Sequence, residues 1–193
     1  NAYTGNFNGN GHTISGLYIG TATNNQGLFG CLDQGGTVKD LSVSGSVKGY
    51  SYVGGVVGDN NGGTVTGCIF SGSGSVSGSY SVGGIVGYNG TGATVSNCYN
   101  TGSVTGVAGV TGSTDYVGGV VGRNFGSTVE NCYNTGSVSG TGNRVGGVVG
   151  SNSIGNVKGC YFLQTETVNT KLQGIGENDG SGDATATEKD DTA

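Results

Sequence analysis

Residues 116–138 read YVGGVVGRNFGSTVENCYNTGSV, and the rest of the chain repeats them. Residues 81–104 carry SVGGIVGYNGTGATVSNCYNTGSV, and residues 52–76 carry YVGGVVGDNNGGTVTGCIFSGSGSV. Residues 144–161, RVGGVVGSNSIGNVKGCY, follow the same order, and a worn copy, NQGLFGCLDQGGTVKDLSVSGSV, lies at 25–47. A fixed period of this length marks a repeat architecture, in which one copy is one structural unit. The closing glycines Gly30, Gly58, Gly87, Gly122 and Gly150 are 28, 29, 35 and 28 residues apart. The long interval comes from an insertion after Val104, roughly VAGVTGSTD, which reads as an enlarged loop.

The composition alone would suggest a low-complexity chain: 45 of 193 residues are glycine, and Pro, Met and Trp are missing. The glycines, however, fall in phase with the repeat. Between them lie short runs of Val, Ile, Leu, Tyr and Cys, which are strand formers. Runs this short, bounded by Gly and Asn, fit strands rather than helices. Each copy is expected to hold three strands: the VGGVVG run, the run from Thr-Val through Cys, and the GSV segment. A lone copy buries too few apolar side chains to offset its ordering entropy, so the copies must share one core by stacking. The expected fold is therefore all-β: a parallel β-solenoid (β-helix) of about five to six coils of ~28 residues, stacked ~4.8 Å apart. The right-handed form is the default for parallel crossovers. Residues 1–24 read as an N-terminal lead-in or capping coil, 25–162 as the solenoid repeats, and 163–193 as an irregular acidic C-terminal segment.

Several positions recur in phase. Asn60, Asn89, Asn124 and Asn152 each stand two residues past a closing glycine, where stacking would bring them into an amide ladder. Cys68, Cys98, Cys132 and Cys160 share a phase with Leu41, which marks an inward apolar position and unpaired buried thiols. Parallel projection from stacked coils argues against disulfides, and a line of thiols does not make a zinc tetrahedron. Cys31 is out of phase and reads as a corner residue. Tyr99, Tyr133 and Tyr161 follow the cysteines with Ile69 below them, forming an outward stripe that either stiffens the sheet or offers a ligand face.

The recurring GGVVG…N…V…CYNTGSV pattern, led in by FNGNGHTISGLYIG at 7–20 and GLFG at 27–30, resembles the GLUG-motif repeat family. That resemblance implies a repeat module of a large secreted or surface-anchored bacterial protein. Such modules occur in adhesins and in regions flanking immunoglobulin-A-cleaving metallopeptidases. There the zinc chemistry belongs to a separate domain with an HExxH motif. This chain has one histidine, His12, and no HExxH, so that activity does not carry over.

No catalytic constellation is expected. His12 sits in a turn without a second histidine or a nearby acid. Asp33, Asp40, Asp59, Asp115 and Glu130 fall at different phases, so no carboxylate pair of the kind glycoside cleavage uses is predicted. No cofactor is expected. NDGSGD at 178–183 spaces oxygen ligands faintly like a calcium (Ca2+) loop but lacks the closing Glu. Asn89-Gly90-Thr91 fits a glycosylation sequon. The net charge of −5 comes with no basic patch, which argues against nucleic acid. No run of about 20 apolar residues predicts a membrane span. No signal peptide is visible, and the opening inside a repeat-like motif suggests an excised piece.

The function expected is a structural or adhesive module, extracellular or at a cell surface, that self-associates end to end or contacts neighbouring modules. The alternative is a glycan-binding module with an outward Tyr, Asn and Thr face. Thr101 and Thr135 repeat, but Gly72 and Gly45 break their column, so an ice-binding face is not expected.

Overall fold

A computed structural model describes residues 2–107, 115–163, 172–179 and 184–189. Among them every secondary-structure element is a strand, and every named strand pair is parallel. No helix in them is long and apolar enough to cross a membrane. The strands form one 9-stranded and one 15-stranded sheet, wound as a β-solenoid. Equivalent letters of successive copies lie in register. Val57 pairs with Val86, Val86 with Val121 and Val121 with Val149, with Phe29 below and Ile175 above. A second file runs Val38, Val65, Val95, Val129, Val157, and a third runs Val47, Val76, Val104, Val138. These valines are fully or almost fully buried and, with the cysteines, make one continuous core.

Each expected strand is present, but two of the three are interrupted. One coil runs Val53–Gly54, Val57–Asn61, Thr64–Thr66, Ile69–Phe70 and Ser75–Gly78. The first break falls at the glycine pair. A Cβ on Gly54, Gly83, Gly118 or Gly146 would lie 1.9–2.1 Å from the carbonyl oxygen three residues on, a distance no side chain tolerates. On the second glycine of the pair a Cβ would strike a neighbour across the core: Phe70 for Gly55, Asn100 for Gly84, Asn134 for Gly119 and Phe162 for Gly147. The pair is thus fixed by close approach, not by left-handed backbone. The second break precedes the cysteine column, where Asp40, Gly67, Asn97, Asn131 and Gly159 all have φ between 53° and 62°. Only Gly, Asn and Asp occupy this place, the types that tolerate a left-handed backbone.

One of the two ends differs from the sequence reading. At the start, Asn6–Asn8 pairs with Thr37–Lys39 and Thr13–Gly20 with Ser42–Lys48. Tyr3 and Phe7 pack on Phe29 with ring centroids 5.2 and 5.3 Å apart, covering that end of the core. At the other end, the segment expected to be irregular holds two strands. Gln173–Asn178 pairs with Arg144–Ser153, and Ala184–Lys189 with Asn156–Leu163. The cause is a disguised repeat: GIGEN at 174–178 sets Ile175 over Val149, Glu177 over Ser151 and Asn178 over Asn152. The enlarged loop after Val107 lies mostly outside the described residues.

A further left-handed column contains Gly35, Gly62, Gly92, Gly126 and then Ile154, with φ of 49° at a β-branched, exposed side chain. This conformation costs an L-residue about 1–2 kcal/mol, against ~0.5–1 for glycine's extra chain entropy. Ile154→Gly is therefore expected to stabilise the chain by about 0.5–1 kcal/mol in urea denaturation. Gly119→Ala, whose Cβ would sit 2.2 Å from the Gly147 carbonyl oxygen, is expected to destabilise it by at least about 3 kcal/mol.

Candidate functional site

Stacking decides what each recurring polar residue does. The Asn60 amide donates to Asn89 Oδ1 at 2.9 Å, Asn89 to Asn124 at 2.9 Å and Asn124 to Asn152 at 2.8 Å. Asn152 then donates to Asn178 at 2.9 Å, so the ladder continues into the final coil. Several of these amides also close their own corner: Asn60 bonds both the carbonyl and the N–H of Gly63. A second ladder, absent from the sequence reading, joins Asn100 to Asn134 at 2.8 Å. Phe70 and Phe162 hold the equivalent positions below and above it. Asn89 is wholly buried, so the sequon at Asn89-Gly90-Thr91 is closed in the folded chain.

Cys68, Cys98, Cys132 and Cys160 are buried and unpaired. Each thiol lies against two carbonyls. Cys98 Sγ, for instance, is 3.1 Å from Ser96 O and 3.7 Å from Val65 O. Burial pushes the Cys98 thiol well above the usual range, and its contacts with Cys132 and Cys68 add to the effect. Cys98 is therefore held as a neutral thiol, which is a poor nucleophile. Cys31 is half-buried beside Asp59 on the other sheet. Among the described residues no cluster of His, Cys, Asp and Glu could hold a metal ion. Residues 180–183 of the calcium-like loop fall outside them. His12 is exposed in its turn.

The tyrosine stripe lies on the outer face of the larger sheet. The Tyr99 and Tyr133 rings stack 4.7 Å apart and 6° from parallel. Tyr161 follows in register, with the Lys189 ammonium 4.7 Å from its ring centre. Tyr133 and Tyr161 are 42 % and 41 % exposed. Together with Thr135, Leu163 and Lys189 they line a cleft of about 270 Å³. A threonine column, Thr37, Thr64, Thr94 and Thr128, runs beside them. Two residues on in the same strands stand Lys39, Glu130 and Lys158, so charge interrupts any flat hydroxyl lattice.

The smaller sheet carries a face that sequence reasoning missed. One outward column holds Cys31, Asp59, Tyr88, Arg123, Ser151 and Glu177, and the next holds Tyr52, Ser81, Tyr116 and Arg144. Tyr52 stacks on Tyr88 at 4.9 Å. The Arg123 guanidinium packs 5.1 Å from the Tyr116 ring centre, 5.4 Å from Phe125 and 5.9 Å from Tyr88. Arg144 lies over Tyr116 and pairs with Glu177, which ties the final coil to the body. Burial, and then the charge of Asp33, raise the Asp59 carboxyl above its ordinary value. A carboxyl raised in the fold stabilises fully below its unfolded value, and that contribution is lost as pH rises through the raised value. Asp59→Asn should remove this dependence. The parent's urea midpoint, relative to the variant's, should fall as pH rises from the acid range to neutral. A difference that does not change with pH would overturn the assignment.

Residues 78–105 and 113–139 match the model of the GLUG motif. The chain is also similar to halomucin of Haloquadratum walsbyi, 41 % identical over 73 residues. That match covers 37 % of this chain and about 1 % of halomucin's length. Among solved structures it is similar to one from Bacteroides ovatus, described as a candidate immunoglobulin A1 protease. The TM-score is 0.64 at 20 % identity, covering 92 % of this chain and 68 % of that one, a likeness that shows the fold alone. Two coils of this β-solenoid therefore match the GLUG motif, and coils of the same build stack on either side of them.

Proposed function

We propose that the chain is a non-catalytic structural and adhesive module of a secreted or cell-surface protein, a stiff rod that spaces or presents other parts. The observation that carries this reading is the amide ladder from Asn60 to Asn178, a hydrogen-bonded file along the rod that no single coil could satisfy. Similarity to halomucin, a name that denotes a mucin-type protein, supports a surface setting. The name of the Bacteroides structure belongs to that protein; the residues here offer no zinc ligand set among those described.

Growth into a fibre would set Gln173–Asn178 and Ala184–Lys189, the last strands described, against the first coil of another copy. The Tyr3, Phe7 and Phe29 cluster covers that first coil and opposes such contact. Light scattering over a range of concentrations decides between the two. Mass rising with concentration and rods lengthening in negative stain establish stacking. A constant monomer removes the fibre and leaves the single-module rod.

The second reading, a carbohydrate-binding module, is favoured by the exposed Tyr133 and Tyr161 rings beside their cleft. Stacking of sugars on such rings would be lost in the Tyr99→Ala, Tyr133→Ala double variant. A glycan array that scores the parent and variant alike, or scores neither, removes this face from consideration.

A further inference from the structure

Tyr99 and Tyr133 stack 4.7 Å apart and nearly parallel, as rings in register on successive rungs of a sheet do. Tyr161 is next in that register but does not extend the stack. Its ring packs under the Lys189 ammonium instead, 4.7 Å from the ring centre. The cleft lies where the stack stops. Tyr99 covers one face of the Tyr133 ring, which is still 42 % exposed. Thr135, Tyr161, Leu163 and Lys189 line the cleft with it. At about 270 Å³ the space falls just under the ~300–1,000 Å³ usual for ligand pockets, so it suits one sugar-sized ring rather than an extended chain.

The cleft carries one charge, and it is positive. Among the described residues no carboxylate lines it. Lys189 pairs in register with Leu163 on the last strand described, and its side chain is exposed. It forms no ion pair among the described residues, whereas Lys158 on the same sheet is already paired with Glu130 at 3.1 Å. A ring face attracts an ammonium but accepts no strong hydrogen bond, so Lys189 keeps donors for an oxygen. The complement is a flat ring with an apolar face to lie on Tyr133 and a carboxylate to meet Lys189. A neutral sugar would leave the ammonium unanswered, and a small carboxylate would leave the ring bare.

We propose, resting on the carbohydrate-binding reading of the tyrosine stripe, that this cleft takes a carboxylate-bearing pyranose of the uronic-acid type, with the sugar ring on Tyr133 and the carboxylate at Lys189. Asp190 and Asp191 follow Lys189 in the sequence and weaken its pull on an anion, so the affinity is low, in the millimolar range. Three successive coils build the site. Tyr133 and Thr135 come from one, Tyr161 and Leu163 from the next, and Lys189 from the last. The site therefore exists only in the stacked state.

The test is a titration of the intact chain, read by two-dimensional NMR, with methyl glucuronide, its isosteric amide, methyl glucoside and acetate. Saturable shifts at Tyr133, Thr135, Leu163 and Lys189 are expected, with the acid bound about three- to fivefold more tightly than either neutral sugar. Lys189→Gln should erase that preference and leave the weaker binding of the neutral sugars, whereas Lys189→Arg should keep it. Tyr133→Ala should remove binding of all three sugars, and added salt should shrink the preference. Lys189 is exposed, so signals of the Asn152–Asn178 contact serve as a marker that the final coil is intact in each variant. Equal binding of acid and amide, or a preference that survives Lys189→Gln, overturns the proposal and leaves the carbohydrate reading standing. Acetate that shifts the same signals as strongly as the glucuronide overturns it too, because charge alone then suffices. No saturable shift with any of the sugars removes the carbohydrate reading and the proposal with it.

Discussion

A buried amide is costly unless both its donor and its acceptor are met, and here the partner of each asparagine is the same asparagine one coil away. The rest of the fold depends on that exchange. Asn60, Asn89, Asn124 and Asn152 are each wholly shielded from solvent, so a coil that slipped by one residue would swap them for outward side chains and strand their amides. Valine files alone would fix which face turns inward, but they tolerate sliding along the rod. The ladder sets the register and the files supply the burial energy, about 1.5–3 kcal/mol for each fully buried side chain.

The glycine pair makes the ladder geometry reachable. At Gly84 and Gly119 the backbone approaches the amides of Asn100 and Asn134 within the radius of a methyl group. This close approach lets a second polar ladder occupy the middle of the core, where Phe70 and Phe162 take over at its two ends. The same pair bends the chain from one short strand into the next. One sequence feature therefore turns the corner and seats the side chain opposite it.

Much of this was legible in the letters. The period predicts stacking, and the phase of Val57, Val86, Val121 and Val149 predicts a single file, which the ladder pairings bear out. Less legible was whatever did not recur often enough to be seen as a column. Asn100 and Asn134 repeat only once, with phenylalanines on either side. The final coil shares only Ile175, Gly176 and Asn178 with the copies below, and its glycine pair has become Gln173-Gly174. The break before the cysteines was hidden because three residue types serve one backbone requirement.

The same reasoning separates fold from function. A position that carries one residue in every coil is answering its own copies above and below, and its role is spent on the stack. A position that varies from coil to coil is released from that demand. The outward column Cys31, Asp59, Tyr88, Arg123, Ser151 and Glu177 changes chemistry at every rung, although its backbone is in perfect register. A regular rod thus becomes a surface with a distinct address at each height. Stacking places unlike groups about 4.8 Å apart along the rod. Recognition in such a chain must be sought where the repeat fails to repeat.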